Sequence, residues 1–278
     1  MWVGQQLADG LDFWGFLGSL ILGGIILGIY TGLLGYVGAK TGLSLDLLSQ
    51  RAFGEKGSYL PSAMTSFTQI GWFSVGSFVS GGTATPNFAR FAKNGKSGAI
   101  TTVVAFFIGN SLMFFFGAVS SIFVGGNDIF EVMVRLNLFY LAVLVLGLNI
   151  WTTNDNALYT AGLGLANIFH QRKKPMVLLS GIIGTVASVW LYYNFCGWLN
   201  ILNCTLPPVG MILVLAYFMN KEDFETDQPK LKTVDWFAVA GVILGAIVAN
   251  LLHWGIASIN GMVVAAVCYC VGQAVNKR

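Results

Sequence analysis

The sequence predicts an all-α protein embedded in a lipid bilayer. Three observations carry that prediction. Only 10% of the 278 residues are charged and 55% are hydrophobic, whereas a soluble domain carries about 25% charged residues. The mean hydropathy is +0.71, and the apolar residues gather into runs near the ~20 residues a helix needs to cross a hydrocarbon core. The charges lie in short clusters between those runs, and the net charge is only +3. They read as loop anchors and not as a nucleic-acid surface.

Eight runs are expected to enter the bilayer. The first, 13–38, is continuous and stops short of Lys40. The second, 59 to about 88, opens after Lys56 and closes before Arg90. The third, 99–124, follows Lys96 and ends before an acidic loop. The fourth, 138 to about 166, is too long for one crossing and contains polar residues, so an interruption is expected within it. The fifth, 176–193, follows the triplet Arg172-Lys173-Lys174. The sixth, 199–219, precedes a mixed loop from Lys221 to Lys232, and 236–252 and 256–275 complete the set. Residues 1–10 are too short to span. No basic region follows Met1, so a cleavable signal peptide is not expected.

Charge fixes the orientation, because basic loops stay on the cytoplasmic side. The basic loops are Lys40–Lys56, Arg90–Lys96, Arg172–Lys174, the mixed loop with Lys221, Lys230 and Lys232, and the terminal Lys277-Arg278. From Arg90 onward the crossings alternate correctly, with the acidic loop of Asp128 and Glu131 on the opposite side. The run 59–88 breaks the alternation, since Lys56 and Arg90 flank a single crossing. Either this run is re-entrant, or the charge rule fails here, or sequence is missing inside it.

Little points to catalysis. Cys196, Cys204, Cys268 and Cys270 all lie in or beside apolar runs, where free Cys behaves as a small hydrophobe. His170 and His253 are far apart. Paired carboxylates, a His–Glu zinc motif and a Ser–His or Cys–His constellation are all absent from the sequence, so a membrane-embedded enzyme is the weaker expectation.

Two polar stretches inside apolar runs hold the chemistry. The first runs from Thr68 to Pro86. Gln69 and Trp72 are three apart and share a helix face. An amide beside an indole suits a flat polar ring, one reading an edge while the other stacks. Interhelical bonding by Gln69 and plain packing by Trp72 is the alternative. The part from Gly76 to Pro86, with a Gly-Gly pair and a proline, is a poor helix. Such backbone at membrane depth is tolerated where it faces protein or a wet cavity, although it could also be a loop at the interface. In the second stretch Asn149, Thr152, Thr153 and Asn156 stand at i, i+3, i+4 and i+7, one stripe of oxygens beside Asp155. Hard cations take oxygen ligands. The plainer reading is that the hydroxyls bond to their own preceding turn.

Several motifs are similar to one known family. They are Leu27-Gly28-Ile29-Tyr30-Thr31, Gly35-Tyr36-Val37-Gly38-Ala39-Lys40-Thr41-Gly42-Leu43, Gln69-Ile70-Gly71-Trp72-Phe73, Gly109-Asn110-Ser111-Leu112-Met113-Phe114 and above all the run from Leu146 to Tyr159, Leu-Gly-Leu-Asn-Ile-Trp-Thr-Thr-Asn-Asp-Asn-Ala-Leu-Tyr. The chain resembles the nucleobase–cation symporter-1 family, the bacterial cytosine permeases in particular, over essentially its full length.

That resemblance implies a LeuT-like inverted-repeat transporter of twelve spans, here incomplete. Residues 1–76 match the end of span 1, span 2 and the inner half of span 3. Residues 77–278 match the second half of span 6 through span 12. The join falls near 75–77, and restoring the spans between would repair the charge alternation. Trp72 and Phe78 are implied to sandwich cytosine, with Gln69, Ser77, Ser80 and Asn149 as hydrogen-bonding candidates. Asn149 through its carbonyl, with the Thr152 and Thr153 hydroxyls, matches the span 8 share of a sodium site; the span 1 share has no counterpart here. Asn87 stands where relatives often have an acid, and no role follows for it. The implied activity is sodium-coupled import of cytosine across the bacterial inner membrane by alternating access, without a further cofactor. A carrier for a purine, hydantoin or allantoin is the alternative.

Overall fold

A computed structural model describes residues 12–75, 83–125, 129–226, 229, 231–252 and 254–276, with the side chains of 72–75, 121, 192, 195, 196 and 276 outside the description. Among the described residues every regular element is helical. Five helices are long and apolar enough to cross a membrane by length and composition.

Helix α1 (Phe13–Thr41) begins where the Asp12 carboxylate accepts from Gly15 N at 3.0 Å and ends at Gly42, whose φ of 69° is the left-handed turn that glycine adopts without strain. A short helix α2 (Leu45–Phe53) follows, capped by Ser44 and carrying Asp46 in its first turn. It is too short to register as a span in the sequence. Helix α3 (Tyr59–Val75) leads away from it, and a four-residue α4 (Pro86–Ala89) precedes α5 (Gly95–Val124), which contains a π-helical turn at Ala105–Gly109. Then come α6 (Ile129–Arg135), α7 (Phe139–Phe169), α8 (Lys173–Tyr193), α9 (Phe195–Met219), α10 (Lys221–Glu225), α11 (Trp236–Leu251) and α12 (Ala257–Asn276).

The long helices pack antiparallel through small residues, as membrane helices do when lipid gives no hydrophobic drive between them. Helix α1 lies so close to α5 that a Cβ on Gly35 would stand 2.4 Å from Thr102 Oγ1. Helices α11 and α12 meet backbone to backbone, with a Gly245 Cβ 2.7 Å from the Gly261 carbonyl. A core of Leu34, Val37, Leu48, Phe53, Ile212, Leu213, Tyr217 and Tyr269 ties α1, α2, α9 and α12 together.

Two expectations are revised. The interruption expected in 138–166 is absent: α7 is one helix of 31 residues. Its polar residues do not break it, because Thr152 Oγ1 donates to the carbonyls of Leu148 and Asn149 at 3.0 and 3.1 Å and so satisfies itself within the helix. The run 59–88 is not one helix either. It divides into α3 and a stretch, Thr83–Arg90, that returns toward the end where α3 began. Glu55 and Lys56 amides donate to the Lys232 and Thr233 carbonyls there, while Asn87 reaches Leu45. Lys56 and Arg90 therefore lie at one end, as the charge rule requires. The expected span 199–219 holds, with Pro207 and Pro208 inside α9. Pro207 leaves the Asn203 carbonyl without its helical donor, and Ser258 Oγ of α12 donates to that carbonyl at 3.1 Å.

Candidate functional site

Helices α3 and α7, which carry the two polar stretches, pack against each other through the halves below those stretches. Asn167 Nδ2 donates to Ser58 Oγ and Ser62 Oγ at 3.1 and 2.9 Å, and Ser66 Oγ donates to the Ala161 carbonyl at 3.1 Å. The helices therefore run antiparallel, and the register extends upward from Ser66 and Ala161. With about 1.5 Å of rise per residue, the Trp72 backbone lies about 9 Å beyond Ser66 and Thr153 about 12 Å beyond Ala161. The end of α3 and the polar turn of α7 thus share a level.

Gln69 is buried at 7% exposure, on the protein-facing side of α3. The Trp72 side chain, and Ser77, Phe78 and Ser80 altogether, lie outside the described residues. On α7, Asn149, Thr152 and Asn156 share an exposed face, as their spacing predicts, and Asp155 is exposed too. Thr153 is half-buried. Asn154 turns inward, with its Oδ1 buried and unpartnered. The plainer reading of the hydroxyls is what Thr152 displays: it bonds back to its own turn. Among the described residues no three His, Cys, Asp or Glu converge on a metal position.

Two features of this region escaped the sequence reading. Trp198 of α9 is 3% exposed and lies across α3, where a Cβ on Gly71 would stand 2.2 Å from its ring. Glycine is required at 71 to admit that indole against the α3 backbone. The signal was present as the glycine inside Gln-Ile-Gly-Trp, but nothing in sequence says which ring fills the notch.

The second is a buried polar cluster at the basic end. Asp46 Oδ1 accepts from Ser62 Oγ at 2.6 Å, Gln50 Nε2 donates to Asn167 Oδ1 at 2.6 Å, and the fully buried Asn87 accepts from Leu45 N at 2.8 Å. Asn87 thus helps cap α2, a role the sequence did not suggest. Arg90 donates to the Tyr159 hydroxyl, and the Lys173 ammonium sits 3.5 Å above the Tyr159 ring. Burial pushes the Asp46 carboxyl up to about 6; the Ser62 bond, a backbone amide and nearby Arg90 pull partly the other way.

Comparison with known proteins identifies the family. The family model for permeases for cytosine/purines, uracil, thiamine and allantoin matches residues 1–84 and again 74–275. The chain is 35% identical to the cytosine permease of Escherichia coli strain K12 over 371 aligned positions, covering 100% of this chain and 88% of that protein. The same figures hold for the cytosine permeases of Escherichia coli O6:H1 and O157:H7. With matches over its whole length and a bundle of apolar helices to go with them, the chain belongs to this permease family, whose members are helical membrane transporters and not enzymes.

Proposed function

We propose that the protein imports cytosine across the bacterial inner membrane in symport with sodium, by alternating access. The observation that carries this reading is the shared level of Trp72 and Thr153, beside buried Gln69, in a chain 35% identical to cytosine permeases. Gln69, Ser77, Ser80 and Asn149 read the edge of the base, and Trp72 and Phe78 hold its faces. Sodium is bound by the Asn149 carbonyl with Thr152 and Thr153, which orders that turn and raises affinity for the neighbouring base. Coupling is reciprocal. Cytosine binding measured against sodium concentration tests it: affinity rises with sodium if the ion is coupled, and a flat response removes the coupling.

The chain is proposed to join two pieces of the family's fold, 1–76 and 77–278. Supporting this, the family match falls in two overlapping parts and the alignment runs over 371 positions against 278 residues. The exposed oxygen stripe of α7 is then the face that the missing spans cover. Intact mass of the purified protein decides: 29.9 kDa keeps the joined chain, and a heavier protein restores the spans. A nucleobase competition panel separates cytosine from purine, hydantoin and allantoin carriers.

A further inference from the structure

The stretch Thr83–Arg90 is tied to three helices. Tyr30 of α1 and Thr83 share a 2.8 Å hydroxyl–hydroxyl bond, Asn87 accepts from Leu45 N of α2, and Arg90 donates to Tyr159 of α7. Around the last two ties the hydrogen bonding is half used. Asp46 Oδ2, Ser49 Oγ, Asn87 Nδ2 and Arg90 Nε are all buried and have no partner. Their chemistry is complementary, with two N–H donors facing a carboxylate oxygen and a hydroxyl that can do either. They are also neighbours. Asn87 bonds the amide next to Asp46, Arg90 lies one turn beyond Asn87, and the guanidinium is near enough to act on the Asp46 carboxyl. Buried polar atoms left unpaired are costly, and a set whose members would satisfy one another marks a second arrangement of the same groups.

We propose that Arg90 is a two-position latch: in this structure it holds Tyr159 of α7, and in the opposite conformation it swings to Asp46 of α2. Asn87 follows, its free amide N–H closing on the same carboxylate. The swing needs no large movement, since both partners border the same polar cluster. It changes which helix the stretch Thr83–Arg90 travels with. In the Tyr159 position the stretch is bound to the helix carrying the Asn149–Thr153 turn, and in the Asp46 position to α2 and the core around it. The meaning of the two positions for transport rests on the function proposed above; the latch itself is read without cytosine.

The test places a reporter beside the latch. Ala84 is 1% exposed, so Ala84→Cys in the full chain reports loosening of the stretch when a membrane-impermeant maleimide is applied from the basic-loop side. Peptide mass distinguishes position 84 from the four native cysteines. Tyr159→Phe removes one position and is expected to raise the labelling rate about 10-fold. Asp46→Asn removes the other and is expected to lower it below the parent. A role in packing alone moves both variants the same way, and that result, or no change in either, overturns the latch. Should Asp46→Asn not fold, Arg90→Gln serves: with it in place, Tyr159→Phe must change labelling less than 2-fold, whereas an undiminished effect also overturns the proposal. Loss of cytosine binding by the parent would count against the transport reading and leave these labelling results unaffected.

Discussion

The two halves of α7 behave as different helices. From Ala157 to Asn167 it presents Ala157, Thr160, Ala161 and Gly164 to its neighbours, all buried, and every contact is close. From Phe139 to Asn156 the same helix is largely exposed, and Asn149, Thr152, Asp155 and Asn156 lie open. The first half is held by what it touches; the second carries oxygen chemistry on a face left largely open by the described residues. Polar residues at membrane depth are stable in either setting only if they have partners or water. The contrast therefore separates residues that keep the bundle together from residues kept for a ligand, an ion or another helix.

Substitutions on the packed half should cost most. A Cβ at Gly164 meets Ser66 Oγ at 2.2 Å and the Ser62 carbonyl at 2.8 Å; backbone cannot give way, so Gly164→Val is expected to lose about 3 kcal/mol or to misassemble, read as a fall in melting temperature in detergent. Asn167→Ala removes three hydrogen bonds at once, to Gln50, Ser58 and Ser62, and is expected to cost about 2 kcal/mol by the same measurement. Trp72→Ala should weaken cytosine binding by roughly 1–3 kcal/mol in an equilibrium binding assay; unchanged affinity would dismiss the sandwich. On the open half, Asn149→Ala should change stability by less than about 0.5 kcal/mol while impairing sodium-dependent binding. A large stability loss there would erase the distinction between the halves.

Acid sharpens the comparison at the basic end. The Asp46 carboxyl is raised to about 6 in the folded chain, mainly by burial, against about 3.9 in an unfolded one. A raised acid favours folding while it is protonated in both states, and that contribution is lost as pH rises through the folded value. Stability should fall from about pH 4 to about pH 6. Asp46→Asn should flatten that part of the profile, since other carboxylates contribute equally to both proteins.

The spans were legible because a membrane helix announces itself by length and apolarity. The unbroken course of α7 was not legible: polar residues look like a break until their hydroxyls are seen bonding within the helix, as Thr152 does. Helix α2 was too short to stand out among charged loops. Asn87 and Trp198 were hidden for another reason. Each acts on a residue far away in sequence, Leu45 in one case and Gly71 in the other, and nothing local to either one records the pairing.

The proline pair of α9 has a mechanical meaning. Two consecutive residues without an amide hydrogen take the usual helical donors from the carbonyls of Asn203 and Cys204, and a neighbouring helix lends the first a substitute. Flexing α9 at that point breaks fewer bonds than flexing it anywhere else. On one side of the joint Val209 to Tyr217 is locked into the core; on the other Trp198 rides in the notch of Gly71. Any bend there therefore reaches α3 as a displacement of an indole ring, delivered at Gly71.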